Sequence, residues 1–361
     1  MQRKLKVGIV GATGMVGQRF VSLLAEHPWF EVTTVAASPR SAGQSYVEAV
    51  DGRWAFDFPI PSAVRSLIVQ DAGQVRAVAE AVDFVVCAVD MDKDAIRALE
   101  EQYARTETPV VSNNSAHRST ADVPMIIPEL NPEHLALIPA QRRRLGTTRG
   151  FITVKPNCSI QSYVPALHPL RRFKPSRVVV CTYQAISGAG KTFATWPEML
   201  DNVIPLIKGE EEKSEREPLK LWGQVQGGRI ALANTPEITT QCLRVPVSDG
   251  HMAAVFVDFE HTPSMSQMQE SWSSFSGRPQ QLQLPSAPRQ LIHYFSQPDR
   301  PQTRLDRDLE RGMAVSVGRL RPDQLFDYRF VCLSHNTLRG AAGGAVLMAE
   351  LLVAEGYITA K

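Results

Sequence analysis

The sequence of 361 residues contains no apolar run approaching the roughly 18 residues that a membrane span needs. It has almost no charge imbalance: the net charge is +2, and acidic residues are spread among the Lys and Arg, so no nucleic-acid-binding arm is expected. Its five cysteines are an odd number with none in CxxC spacing, which argues against a disulfide framework and a zinc site. The first residues pass into a strand without the apolar core of a signal peptide. We therefore expect a soluble, cytoplasmic, metal-free protein that binds neither nucleic acid nor membrane.

A glycine-rich turn near the start of the chain predicts a dinucleotide site. The apolar strand 4–10 runs into Gly11-Ala-Thr-Gly14-Met-Val-Gly17, and a helix follows that ends before Pro28. Gly11 permits a tight turn, Gly14 lets backbone amides approach a pyrophosphate, and Gly17 allows the helix to pack closely on the strand. The alternative is a plain strand-to-helix turn, because the spacing is GxxGxxG rather than GxGxxG. The predicted cofactor-binding residues of this turn are Gly11, Thr13, Gly14, Met15 and Val16.

The end of the second strand indicates which dinucleotide is bound. An NAD site presents a carboxylate to the ribose 2′-hydroxyl, but the strand 31–37 is followed by Ser38-Pro39-Arg40-Ser41. A guanidinium flanked by hydroxyls suits a 2′-phosphate. The sequence thus favours NADP, bound through Ser38, Arg40 and Ser41, over an incidental surface turn.

Strands and helices alternate through the first part of the chain. The run 82–89 is apolar, 94–103 has helical spacing, and a strand at 109–112 leads into a loop that contains Arg118. This alternation predicts a doubly wound, Rossmann-type parallel sheet, with ligands beyond the carboxyl ends of its strands. Arg118 is either a ligand-binding residue there or a solvated arginine.

Cys158 is the strongest candidate nucleophile. It lies in Lys155-Pro-Asn-Cys-Ser-Ile-Gln161, where Asn157 can cap a helix that continues toward residue 170, although Pro165 bends or ends it. A helix N-terminus would lower the pKa of the thiol and favour the reactive thiolate. The alternative is a small buried hydrophobic residue. That alternative fits the four cysteines in apolar, strand-like runs, Cys87, Cys181, Cys242 and Cys332.

The chain changes character after Cys158. Runs of β-branched and apolar residues follow one another without regular helices, which predicts an α+β domain with a mostly antiparallel sheet. The predicted strands are 177–184, 239–247, 251–260, 313–320 and 326–333. The Pro/Gln/Arg-rich segment 277–311 is predicted to be irregular, and 340–352 to be a helix with a small-residue start.

Three polar clusters in this second part each have a plain structural explanation when taken alone. They are a glycine loop after a strand (184–191), a strand-turn bounded by Arg244 and His251, and the acidic run 210–213, which ends in a lysine. Together with a thiol and an NADP site they supply what aldehyde oxidation needs: a nucleophile, a base, anion clamps and a hydride acceptor.

Eight motifs in order resemble the aspartate-β-semialdehyde dehydrogenase family, particularly its archaeal and fungal-type branch. They are GATGMVG, AASPRSAG, SNNSAHR, PNCS, QAISGAGK, GEEEK, RVPVSDGH and SHNTLRGAAGG. The resemblance implies NADP-dependent reductive dephosphorylation of L-aspartyl 4-phosphate to L-aspartate 4-semialdehyde, within amino-acid biosynthesis. One departure is Ser159-Ile160-Gln161, which occupies the place of a Thr-rich turn.

The resemblance also implies roles for individual residues. Cys158 would be the nucleophile, His251 the acid/base that takes the thiol proton, and Gln184 an orienting group. Arg244 would hold the substrate carboxylate and Glu210 the substrate amino group. The remaining implied residues are Asn157, Arg118 and Lys213 for substrate and phosphate, and Ser187, Gly188 and Asn336 for the cofactor.

Length and resemblance together suggest two domains. Residues 1–155, completed by a returning helix at 335–361, would bind NADP, and 156–334 would form a catalytic and dimerisation domain of a homodimer or homotetramer. Three other functions remain open: an acyl-CoA reductase of the malonyl-CoA reductase type, a reductase of N-acetylglutamyl phosphate, and an NADP-binding redox sensor that never turns over.

Overall fold

The computed structural model describes residues 3–361, so the first two residues of the predicted NADP-binding domain lie outside it. Two six-stranded sheets and a two-stranded ribbon organise the described residues. The strands are β1 (Leu5–Val10), β2 (Phe30–Ala37), β3 (Gln70–Asp71), β4 (Phe84–Cys87), β5 (Val110–Ser112), β6 (Ile152–Val154), β7 (Pro175–Gln184), β8 (Gln224–Gln226), β9 (Arg229–Ala231), β10 (Glu237–Arg244), β11 (His251–Phe259), β12 (Ile292–Phe295), β13 (Val315–Pro322) and β14 (Tyr328–Ser334).

The α-helices vary from single turns to thirteen residues, and short 3₁₀ turns join several of them. The α-helices are α1 (Met15–Leu24), α2 (Tyr46–Ala49), α3 (Ser62–Arg65), α4 (Val75–Glu80), α5 (Lys93–Arg105), α6 (Ile138–Leu145), α7 (Val164–Leu167), α8 (Glu210–Leu221), α9 (Met265–Ser273), α10 (Arg278–Gln281), α11 (Thr303–Asp306), α12 (Leu309–Gly312) and α13 (Gly343–Ala354).

The first sheet confirms the predicted doubly wound arrangement. Its order is β3-β2-β1-β4-β5-β6, and every neighbouring pair is parallel. The central strands are apolar because helices cover both faces, and all four residues of β4 are buried. The strand order reverses direction between β1 and β4, which is where such sheets bind ligands beyond the carboxyl ends of their strands.

The second sheet has the order β10-β7-β11-β14-β13-β12. Its three central pairings are antiparallel, as predicted, whereas the two outer pairings, β10 with β7 and β12 with β13, are parallel. The prediction of an irregular 277–311 segment was wrong in part, because β12 lies within it and forms one edge of this sheet. A four-residue strand among prolines leaves too short an alternating pattern to identify from sequence.

The helix predicted after Cys158 is broken into short pieces. Cys158 precedes a 3₁₀ turn, Ser159–Gln161, and α7 covers only four residues. The N-cap position of this turn is Cys158 and not Asn157 as predicted, although the Oδ1 of Asn157 does accept the Ser159 N–H at 2.7 Å. Pro165 in the first turn of α7 cannot donate a backbone hydrogen bond, so no continuous helix can run through it.

Helix α13 returns from the second sheet to the first. A π-helical turn, Leu338–Ala342, precedes it, and its first ten residues are all buried. It contacts α1 and β5, and its apolar side chains share one core with β1 and β2. Among residues 3–361, no helix is long and apolar enough to cross a membrane. The same residues contain no group of three His, Cys, Asp or Glu placed to hold a metal ion.

Candidate active site

The candidate site residues converge because of strand direction. Gln184 and Arg244 end the parallel neighbours β7 and β10, so they pair directly. His251 begins β11, which runs antiparallel to β7, and therefore lies at the same edge. Cys158 follows β6 of the first sheet and reaches this edge across the junction between the sheets.

The side chains of Cys158 and His251 face each other. The Sγ of Cys158 lies 3.5 Å from Nε2 of His251. The other ring nitrogen, Nδ1, accepts the backbone N–H of Ala185 at 3.0 Å. The backbone carbonyl of Gly250 also faces the ring and can accept a ring N–H in place of that contact. With the ring proton held on that side, Nε2 presents a lone pair to the thiol.

The pKa of the Cys158 thiol differs in direction from the sequence prediction. Burial raises the pKa of the Cys158 thiol, and Glu210 adds to the rise, whereas Lys155, Arg118 and Arg244 oppose it. The prediction of a lowered thiol pKa was therefore wrong, because desolvation outweighs the short 3₁₀ turn. Burial, reinforced by Arg244, lowers the pKa of His251 to about 3.

Two glutamates on one face of α8 hold the residue before the thiol. The Asn157 N–H donates to Glu217 at 2.6 Å, and its Nδ2 donates to Glu210 at 2.8 Å. Arg118 pairs with Glu217 at 3.0 Å, and Lys213 pairs with Glu210 at 3.1 Å. The two predicted phosphate cations are thus each attached to a carboxylate that also positions Asn157.

Arg244, Gln184 and Gly188 surround the imidazole. Arg244 is buried, and its Nη1 donates to the carbonyl of Ala185 at 2.6 Å. Gln184 Nε2 lies 3.4 Å from Glu210. A Cβ on Gly188 would lie 2.9 Å from Arg244 Nη1 and 3.0 Å from His251 Nε2, so a larger residue there would displace the guanidinium or the imidazole.

The glycine turn fits a dinucleotide in the way that the sequence predicts. Gly11 has φ +92°, and an added Cβ would lie 2.3 Å from the carbonyl of Ala88. A Cβ on Gly17 would lie 2.1 Å from the carbonyl of Gly11, which confirms the close packing of α1 on β1. Gly14 precedes α1 in extended conformation and carries no side-chain cap, so the first amides of the helix are free to bind an anion. Thr13, Met15 and Val16 of the same turn are only partly buried.

The other predicted cofactor residues are divided between two places. Ser38 and Arg40 are exposed just after β2, and Ser41 is buried beside them. Asn336 joins the second group: its Oδ1 accepts the Gly250 N–H at 2.8 Å, and its Nδ2 donates to Ser187 at 2.9 Å. A cavity between α1 and this second group is lined by Met15, Arg19, Phe56, Ser187, Ser248 and Thr337.

The sequence analysis assigned no functional role to Lys155, Glu217 or Arg19. Lys155 is buried directly before the Pro-Asn-Cys sequence. Glu217 lies two helical turns after Glu210, so both side chains lie on one face of α8. This spacing could have identified Glu217 from the sequence. Arg19 lies over the ring of Phe56, with 3.9 Å between the guanidinium carbon and the ring centroid, and no short-range pattern predicts that contact.

A parallel sheet with a glycine turn, joined to a second sheet whose edge presents a buried imidazole to the partly buried thiol of Cys158, is the arrangement of a nicotinamide-dependent oxidoreductase. The family models agree with the two sheets. Residues 6–138 match the model described as semialdehyde dehydrogenase, NAD binding domain, and residues 167–339 match semialdehyde dehydrogenase, dimerisation domain. The chain belongs to the semialdehyde dehydrogenase family.

Similar proteins agree over nearly the full length. Aspartate-semialdehyde dehydrogenase of Archaeoglobus fulgidus is 42% identical over 98% of this chain and 100% of its own. The Saccharomyces cerevisiae enzyme of that name is 40% identical over 99% of this chain and 100% of its own. The crystal structure of the Candida albicans enzyme with NADP superposes with a TM-score of 0.88 at 37% identity, covering 99% of this chain and 100% of the other.

Proposed function

We propose that the chain catalyses the NADP-dependent reductive dephosphorylation of L-aspartyl 4-phosphate to L-aspartate 4-semialdehyde, in the cytoplasm. The observation that carries this proposal is the 3.5 Å contact between Cys158 and His251, with Arg244 beside them. The names of the relatives, at 40–42% identity, support the same substrate.

In this reaction the proton of the Cys158 thiol passes to Nε2 of His251 as the sulfur attacks the acyl carbon, phosphate leaves, and a thioester forms on the cysteine. Arg118 and Lys213 would accept the charge of the departing phosphate. NADPH, when bound, supplies the hydride that reduces the thioester. The oxygen of the resulting hemithioacetal develops negative charge, and His251, protonated at Nε2 in the first step, would donate to it as the acid. Collapse releases the aldehyde and the thiolate.

Arg244 and Glu210 would orient the amino acid part of the substrate. A guanidinium can hold a carboxylate through two hydrogen bonds, and Arg244 is buried with only one donor committed, at 2.6 Å to a carbonyl. Glu210 would bind the substrate ammonium, and Gln184, 3.4 Å away, would fix the carboxylate that does so. A substrate without a free ammonium, such as N-acetylglutamyl phosphate, would leave Glu210 without that partner.

The cofactor assignment rests on Arg40 and on the glycine turn. Arg40 would bind the 2′-phosphate, with Ser38 and Ser41, while the first amides of α1 bind the pyrophosphate. Ser187, Gly188 and Asn336 would contact the nicotinamide end. The Candida albicans enzyme was crystallised with NADP, which supports this choice over NAD.

The decisive test is purified protein with NADP⁺, aspartate semialdehyde and either phosphate or CoA. We expect NADPH to form only with phosphate, and Cys158→Ser to abolish it while retaining NADP binding, because a hydroxyl is scarcely ionised near neutrality. Arg118→Leu should raise the KM for phosphate more than the KM for the aldehyde. NADPH formation with CoA as acceptor would identify an acyl-CoA reductase, and full activity of Cys158→Ser would exclude a covalent mechanism.

We also propose a homodimer formed through the exposed face of the second sheet, with domain limits at residues 155 and 335. Alternate residues of β7 and β11 point away from the core and are only partly covered. The register pairs them into a mostly apolar patch, the outer sheet face, made of Val179, Cys181, Tyr183, Met252, Ala254 and Phe256. The match to a dimerisation domain over 167–339 supports this surface as the interface.

A further inference from the structure

Glu217 is a buried carboxylate that joins the loop after β5 to the segment that carries the thiol. Its side chain is 8% exposed, and each of its oxygens has its own partner. Oε2 accepts the backbone N–H of Asn157, the residue before Cys158, at 2.6 Å. Oε1 accepts a hydrogen bond from Nη1 of Arg118 at 3.0 Å. One carboxylate therefore contacts both the nucleophile segment and a cation that is predicted to bind phosphate.

Glu217 is the main partner of the Arg118 guanidinium among residues 3–361. The Nη2 of Arg118 lies 3.4 Å from the carbonyl of Asn113, which is a long and weak contact, and its Nε is buried without a partner. The contact with Glu217 is shorter and joins two opposite charges. A phosphate bound by Arg118 therefore shares the guanidinium with a carboxylate.

The backbone of the same loop is held by another residue of α8, Lys220. Its buried Nζ donates to three carbonyls of the loop, those of Arg118, Thr120 and Val123, at 2.7, 2.8 and 3.1 Å. These hydrogen bonds do not involve Glu217. We therefore expect a change of the Glu217 side chain to release the guanidinium while the backbone of the loop stays in place.

Glu210 and Glu217 have different tasks in the proposed reaction, although both lie on one face of α8. Glu210 pairs with Lys213 at 3.1 Å, and in the proposed function it binds the substrate ammonium. Both oxygens of Glu217 are already occupied, by Asn157 and Arg118, so it has no substrate group to bind. Its charge is left to act on the cation that it contacts.

That charge acts against phosphate. A carboxylate beside the guanidinium occupies one of its donors, and two anions that share one cation repel each other. In the proposed reaction phosphate is the leaving group, and it has to dissociate after the thioester has formed. An unpaired Arg118 would bind phosphate more tightly and release it more slowly.

We propose that Glu217 is a positioning residue that sets the affinity of the phosphate site. It fixes the guanidinium of Arg118, and its charge keeps phosphate binding weak enough for phosphate to leave once the thioester has formed. Glu217 acts through Arg118 and takes no part in the covalent steps at the sulfur. This inference deepens the proposed function and rests on it, because it takes Arg118 as the phosphate cation.

The test is the affinity of Glu217 variants for inorganic phosphate, measured by isothermal titration calorimetry on the full-length protein with NADP⁺ bound. Glu217→Gln keeps the shape of the side chain and removes its charge, so phosphate should bind about tenfold more tightly than to the wild type. Glu217→Asp keeps the charge, so phosphate affinity should stay within about threefold of the wild type. Glu217→Ala is a second neutral variant with the same expected gain, so the test does not depend on the folding of one substitution.

A role in stability alone predicts the opposite ranking of these variants. Glutamine would then behave as the wild type because it has the same shape, whereas the shorter aspartate would lower the melting temperature and weaken phosphate binding. No aldehyde is present in the titration, so no turnover occurs. NADPH formation by the wild type tests the proposed function, and the phosphate affinities test this inference, so the two can fail separately.

Glu215→Gln is the matched control. Glu215 lies on the same helix, but its Oε1 accepts the backbone N–H of Thr240 at 3.1 Å instead of pairing with a cation. The substitution removes the same charge from another position of α8 and should leave phosphate affinity unchanged. Equal affinity of Glu217→Gln and the wild type, including no measurable binding by either, would overturn the proposal. An equal gain in Glu215→Gln and Glu217→Gln would also overturn it, because net charge alone would then explain the effect.

Discussion

Asn157 is the residue on which the position of the thiol depends most directly. Its backbone N–H and its side-chain amide are held by two carboxylates of α8, and its Oδ1 accepts the Ser159 N–H in the turn that follows Cys158. With the bond from the Ser159 hydroxyl to the same Oδ1, four hydrogen bonds hold Asn157 and leave the next residue little freedom. If the thiol were displaced by about 1 Å, the reaction rate would fall about 10²-fold.

Arg40 gives the sharpest prediction for cofactor choice. Arg40→Asp should weaken NADP binding by about 10²-fold, because a charge-assisted contact is replaced by repulsion, and should affect NAD much less. Titration of both cofactors by fluorescence measures this. Arg289→Asp, an exposed arginine in the 277–311 segment, is the control and should alter neither affinity. Equal losses for NADP and NAD in Arg40→Asp would show that Arg40 does not meet the 2′-phosphate.

Much of the site could be predicted from residue types and order. Cys158 differs from the other four cysteines by its place at a strand-to-turn junction, and the structure confirms that those four lie in β4, β7, β10 and β14. The direction of the thiol pKa could not be predicted, because burial depends on contacts between the two sheets. The contact between the imidazole and the N–H of Ala185 could not be predicted either, because no local pattern reveals it.

At the scale of elements, the π-helical turn before α13 places Gly340 against Cys158. Gly340→Ala should lower kcat by about tenfold to 10²-fold, because its Cβ would lie 3.0 Å from Cys158 Cβ and 3.4 Å from its backbone. NADP affinity should be retained. Initial rates of phosphate-dependent NADPH formation, with a melting curve for each variant, check this.

Gly73→Ala is the control for that substitution. The nearest atom to its added Cβ is the flexible Asp71 carboxylate oxygen at 3.4 Å, so ordinary side-chain movement accommodates it. If Gly340→Ala is as active as Gly73→Ala, the close approach of the helix does not fix the thiol.

Long elements with a clear period were predicted well, and short ones were not. α1, α5 and four strands of the first sheet, β1, β2, β4 and β5, appear within a few residues of their predicted limits, whereas the short β3 and β6 were not predicted. The segment after Cys158 has helical spacing of apolar residues, but Pro165 breaks it into a 3₁₀ turn and a single helical turn. β12 pairs with β13 far along the chain, so its stability comes from that partner and not from its own sequence.

At the scale of the whole molecule, we expect two copies of the chain to associate through the outer sheet face. Phe256→Lys should convert the dimer to monomers, because a desolvated charge at the centre of an apolar interface costs several kcal/mol. Sedimentation velocity at several concentrations measures this. Ile68→Lys, at an apolar residue that is 57% exposed beside the first sheet, is the control and should leave the dimer intact. A dimeric Phe256→Lys would place the interface elsewhere.

Buried histidines should make the molecule sensitive to acid. Burial lowers the pKa of His168 and His335 to about 4 and that of His251 to about 3. Between these values and about 6.5 the unfolded chain binds protons that the folded protein does not, so the free energy of unfolding falls as pH falls. The slope approaches about 1.4 kcal/mol per pH unit for each histidine.

Urea unfolding at pH 7 and pH 5.5, at fixed protein concentration, measures that dependence. His168→Phe should reduce the difference between the two pH values by about 1 kcal/mol, because a phenyl ring can pack against Phe275 as the imidazole does and does not titrate. An identical pH dependence in this variant would mean that His168 has the same pKa in the folded and the unfolded protein.

Because α13 returns to the first sheet, the core of that sheet can be completed only at the end of synthesis. On the ribosome, β1–β6 emerge well before α13, since all strands of the second sheet lie between them in the chain. Until α13 is made, the apolar surface that it covers beside α1 and β5 has no partner, and a nascent chain in this state is prone to aggregation or to capture by chaperones. The nucleotide-binding sheet is therefore begun first and closed only after the sheet that carries His251 has been synthesised.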